Sequence, residues 1–173
     1  MTTDPGTGVA GRPLWSRRLA RLAANPSGAI YGTIVATSVV AAGAHDTSPG
    51  KLALATAMTV LVFWLAHIYA QVLQRGLHDQ RHHADVIRTT VVEELAMVQA
   101  PGLSILILAL GAMSWIDDRL AINLALANGV AQLLLWGIAV ARQLGLSWSA
   151  ALVAGLVDAS LGVLIIMLKA LLH

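Results

Sequence analysis

Residues 143–168 read QLGLSWSAALVAGLVDASLGVLIIML, 26 positions in which the one charged side chain is Asp158. As a helix rising 1.5 Å per residue this stretch reaches about 39 Å, more than the roughly 30 Å hydrocarbon thickness of a bilayer. The same absence of Asp, Glu, Lys and Arg recurs at 22–44, 52–74, 95–116 and 120–141, which are 23, 23, 22 and 22 residues long. Over the whole 173 residues the charged fraction is 12% and the hydrophobic fraction 57%, against roughly 25% charged in soluble domains. The pattern predicts an all-α integral membrane protein with five transmembrane helices, at about 28–45, 52–74, 100–116, 120–141 and 147–170. Residues 22–173 then form one membrane domain in contact with the lipid bilayer, and 1–21 a disordered basic cytoplasmic tail. No strand pattern interrupts this reading.

Threading alternate loops to opposite sides places Arg12, Arg17, Arg18, Arg21, Arg75, Arg81, Arg88 and Arg142 together, against Lys51, Arg119 and Lys169. Basic residues accumulate on the cytoplasmic side, so the N-terminus and the segment 75–99 are expected inside and the C-terminus outside. The net charge of +2 belongs to this bias and indicates no nucleic-acid partner. Residues 12–44 also carry the outline of a cleavable signal peptide. Their apolar run exceeds the usual h-region of roughly 7–15 residues, which favours a retained first span.

Gly28, Gly32 and Ala36 in span one, and Ala151, Gly155, Ala159 and Gly162 in span five, form small-residue stripes that let helix backbones approach closely. Two uses remain open, packing within one chain or contact between subunits of a homo-oligomer, of which a dimer is favoured. Pro101-Gly102 interrupts a segment in which Ile87, Val91, Leu95 and Val98 recur at helical spacing. A cytoplasmic amphipathic helix is therefore expected to run into span three through a kink.

Asp158 lies about 11 residues into span five, where an ionised carboxylate costs roughly 2.5–3.5 kcal/mol on insertion scales. It reads either as a proton or cation site or as a hydrogen-bonded helix lock. Asn128 and Gln132 in span four, at comparable depth, are its candidate partners along a transport pathway, with His67 in span two as relay, ligand or packing residue. Outside the spans, His78, His82 and Asp85 fall at i, i+4 and i+7 on one helix face. With Glu93 and Glu94 they offer imidazole and carboxylate ligands that suit a divalent ion such as Fe, Mn or Zn; the bland alternative is a solvated polar helix. Cysteine is absent, and no phosphate loop, nucleophile elbow or His-Glu-x-x-His pair occurs, so none of those catalytic classes is indicated and the chain is not read as an enzyme.

The stretch Trp136-Gly137-Ile138-Ala139-Val140-Ala141-Arg142-Gln143-Leu144-Gly145, followed by span five, resembles the last two helices and short basic turn of the vacuolar iron transporter family. Tyr69-Ala70-Gln71-Val72-Leu73-Gln74-Arg75 is similar in placement to a family segment ending in Gln-Arg. The resemblance implies a dimeric, proton-coupled carrier of ferrous iron or manganese, with a cytoplasmic ligand-bearing segment between spans two and three. The sequence departs from the family in span one, which has no carboxylate between Leu22 and Ala44 and no Asn-Asp-Gly signature. Met58 alone stands where a family methionine would, and Glu93 and Glu94 remain of the glutamate set. The expectation is thus a small cation transporter or channel; the competing one is a non-transporting membrane partner or assembly subunit whose polar residues only fix helix packing.

Overall fold

Each long charge-free stretch folds as helix because in apolar surroundings a helix satisfies every backbone N–H and C=O within its own segment. The computed structural model describes residues 26–76 and 83–171, which contain helices and turns and no strand. The helices are α1 (Pro26–Gly43), α2 (Pro49–Gly76), α3 (His83–Glu93), α4 (Leu95–Gln99), α5 (Gly102–Ala112), α6 (Asp118–Gln143) and α7 (Trp148–Leu171). Four of them, α1, α2, α6 and α7, are long and apolar enough to cross a membrane; the count rises to five when the bent pair 90–99 and 102–112 is taken as one span. The expected third span is therefore a broken element. Its continuous helix α5 has 11 residues and is about 16 Å long, half of what a crossing needs.

The break has two causes. Pro101 has no N–H to donate to the Met97 carbonyl, and the axis bends by 45° there. Two turns earlier the chain leaves helical geometry at Glu94, where Met97 N donates to Glu94 O at 3.1 Å across three residues instead of four. The Met97 carbonyl, without its helical donor, lies directly over Gly32 of α1, where no β-carbon fits. Such Cα–H···O approaches recur at helix contacts and offset part of a lost bond. Gly32→Ala is accordingly expected to push α1 and α4 apart and cost about 1–3 kcal/mol, as overpacking does, read as a lowered thermal midpoint of the purified protein.

Helices α1 and α6 hold the middle of the bundle, with α6 packed on α7, α5 and α1, and α1 also touching α2, α4 and α7. The buried residues of α6 include Ala121, Ala125, Gly129, Leu133, Gly137 and Ala141, a stripe of period four. The stripes of α1 and α7 are likewise buried within the single chain: Gly155 fits against Leu134 and Ile138, and Gly162 against Val130 and Leu133. They are used in packing helices within one chain. Val40, Leu52, Leu108, Ile122 and Ala125 make a dry cluster where α1, α2, α5 and α6 meet.

Opposite to this interior, the outer surface is apolar. Leu54, Val62, Leu65, Leu135, Leu156 and Leu164 are all more than half exposed, whereas soluble monomers rarely expose contiguous apolar patches beyond a few hundred Å². The turns carry the polar chemistry. Asp117 caps α6, its Oδ1 accepting from Arg119 N at 3.0 Å and Leu120 N at 3.2 Å. Between α6 and α7, Arg142 donates to Leu146 O at 2.6 Å and stacks over the Trp148 ring at 4.5 Å, closing a turn that Gly145 enables with φ +77°.

Candidate functional site: a buried carboxylate at a helix break

The break at residue 94 turns a carboxylate inward. Glu94 Oε2 stands 3.3 Å from His67 Nε2 on α2, with 3% of the Glu94 side chain and 38% of the His67 side chain exposed. The contact is at the long edge of hydrogen-bond distance, without aligned N–H geometry. Gln71, one turn along α2 from His67, brings its amide nitrogen to 3.5 Å from the same ring nitrogen. Glu93, the neighbouring carboxylate, points out of the bundle. Consecutive residues of a helix are about 100° apart, and the irregular turn decides which of the two is buried.

A neutral imidazole carries a donor on one ring nitrogen and an acceptor on the other, so Nε2 can face the Glu94 carboxylate as either. The pairing offers a cation one carboxylate and one imidazole as ligands, and the imidazole is partly exposed. Trp64, one turn before His67 on α2, has a buried indole nitrogen with no acceptor among the described residues.

The structure places the other sequence-derived residues separately. Asn128 donates to Ser104 Oγ on α5 at 2.8 Å, and Ser104 in turn reaches Ala125 O at 3.3 Å. Gln132 lies 3.1 Å from Thr33 Oγ1 on α1, whose hydroxyl also bonds Ala29 O at 2.8 Å. With a single hydroxyl proton to share, turning the Gln132 amide so that it donates to Thr33 satisfies both contacts. Asp158 is half-buried in the α6–α7 contact, its Oδ2 over Gly137, and makes no hydrogen bond or ion pair with a described residue. Neither Asn128 nor Gln132 is bonded to it. Gln132 also lines a groove of about 440 Å³ beside the broken helix, with Gln99, Leu103 and Trp136.

His78 and His82 lie outside the described residues, as does the side chain of Asp85, which is in the first turns of α3. Among the described residues no three His, Asp or Glu side chains come together as a metal-holding group. The His67–Glu94 contact joins two candidates that the sequence assigned to different tasks, one to the pathway and one to the metal set. The separation of 27 positions carries no signal by itself; the inward turn at 94 creates it.

Fold and site together define the class: the described residues are all-helical, with four or five apolar helices of membrane length and a buried carboxylate beside an imidazole at a helix break. Comparison with protein-family models, curated proteins and solved structures finds no match to this chain.

Proposed function

We propose that this chain is a small multi-pass membrane transporter or channel for a cation, coupled to protons, with His67 and Glu94 as its ion-handling site. The observation that carries the reading is the Glu94 carboxylate, 3% exposed and 3.3 Å from His67, at the interruption of an otherwise membrane-length helix. Intramembrane ionisable residues are costly and are retained where they handle ions, and broken helices place such groups at the sites of many transporters. In this reading the N-terminus is cytoplasmic, and His78, His82 and Asp85 collect a divalent ion such as Fe²⁺, Mn²⁺ or Zn²⁺ as cargo at the mouth. The reading stands on the His67–Glu94 contact and not on the resemblance to vacuolar iron transporters.

The second reading, a non-transporting assembly subunit, is favoured by the bonds of Asn128 to Ser104 and Gln132 to Thr33, which tie helices as structural amides do. One experiment separates the two. The purified protein is reconstituted into liposomes and flux of H⁺, K⁺, Mn²⁺, Fe²⁺ and Zn²⁺ is followed with pH- and metal-sensitive dyes. Flux of one of these cations above empty liposomes is the expected result. A folded, correctly inserted protein that moves none of them overturns the transport reading.

A further inference from the structure

Where α1 ends and α2 and α6 begin, the turn 44–48 and the last part of α7 enclose a cavity of about 730 Å³, within the size range of small-molecule sites. Its lining is divided. Ala41 and Ile122 are buried and Leu126 and Ile166 half-buried, forming an apolar floor; Asp46, Asp118 and Arg119 are exposed around the rim. These three side chains make no hydrogen bond or ion pair with one another or with any other described residue. Asp117, not Asp118, caps the adjacent helix, so Asp118 is not consumed there. Two carboxylates and a guanidinium thus surround one cavity without neutralising each other, a lining that suits a ligand bearing both signs of charge above an apolar tail.

We propose that this cavity binds a phosphoethanolamine group, as the headgroup of an aminophospholipid, an inference that rests on the membrane reading of the helices. The phosphate is taken by Arg119, whose planar fork matches phosphate oxygens. The ammonium is taken by Asp46 and Asp118, and the glycerol and first methylenes lie over Ile122, Leu126 and Ile166. A primary ammonium donates three N–H bonds to the carboxylates, whereas the trimethylammonium of a choline headgroup carries the same charge and donates none. Recognition by this rim therefore distinguishes ethanolamine from choline lipids.

The test uses the full chain in mild detergent, titrated with short-chain phosphatidylethanolamine, phosphatidylcholine and phosphatidylglycerol and with free O-phosphoethanolamine. Bound adducts are counted by native mass spectrometry. The ethanolamine lipid is expected to bind about tenfold more tightly than the choline lipid, the size of one charge-assisted hydrogen bond. Asp46→Asn combined with Asp118→Asn removes that preference, while Arg119→Gln weakens both lipids and preserves it. Equal binding of the two lipids to the unaltered protein, or a preference that survives the double substitution, overturns the proposal. Binding that requires acyl chains assigns the group to a lipid, and equally tight binding of free O-phosphoethanolamine assigns it to a soluble molecule; both support the recognised group. Co-flotation with liposomes is read separately, because a chain that fails to float defeats the membrane reading whatever the headgroup result.

Discussion

Glu94→Gln is expected to reduce cation flux in liposomes to the level of protein-free vesicles while leaving the protein folded. Glutamine keeps the shape of glutamate, so the inward turn at the α3–α4 break is filled as before, but the amide neither binds a proton at working pH nor carries charge. The carboxylate–imidazole contact with His67 at 3.3 Å is then lost. Removing the other partner acts differently. In His67→Ala the carboxylate stays in place without its imidazole. Breaking a buried pair this way costs about 3–5 kcal/mol when both members are fully buried, and the 38% exposure of His67 puts the expected loss well below that range. The two substitutions separate function from stability. A Glu94→Gln protein with undiminished flux and an unchanged thermal midpoint would take the His67–Glu94 pair out of the mechanism.

That pair shows how far the sequence can be read. The apolar helices follow from gaps in charge, because excluding Asp, Glu, Lys and Arg for 22 residues or more leaves few alternatives to a membrane-length helix. The interruption at Pro101 is equally legible, since a missing N–H is a covalent fact. Which residues meet across helices is another matter. Asn128 was expected beside Asp158 because both lie at similar depth, yet depth leaves the angle around the helix axis open, and Asn128 faces Ser104 on α5. Glu94 was grouped with Glu93 as a ligand by adjacency, whereas one irregular turn sends the first inward and the second outward. The period-four stripe from Ala121 to Ala141 in α6 was available in the sequence, but alanine and glycine contrast weakly with a uniformly apolar background. The cavity rim was out of reach for a similar reason. Asp46 and Asp118 are 72 positions apart and come to line one cavity only through the order in which the helices pack.

The largest expected loss of stability belongs to Gly137→Val. A β-carbon on residue 137 would stand 2.7 Å from the Gly155 Cα, 3.0 Å from the Ala154 carbonyl oxygen and 2.6 Å from Asp158 Oδ2. Two of these three obstacles are backbone of α7 and cannot rotate away. Relief therefore requires the two most extensively packed helices of the bundle to separate along their contact, with the added cost of cavities on either side. A loss of more than about 3 kcal/mol is expected, above the ordinary range for overpacking, read as failure to accumulate or as a sharply lowered thermal midpoint. Gly102→Ala is the matched control, because a β-carbon there meets nothing within 4 Å; with less chain entropy to lose it should stabilise by about 0.4–1 kcal/mol. Asp158→Asn probes the third obstacle alone. It preserves the shape of the side chain above Gly137, so a carboxylate that only packs predicts little change in the thermal midpoint and in flux. Flux that disappears in Asp158→Asn while the fold persists would instead make Asp158 a second ion-handling group on the α7 side of α1.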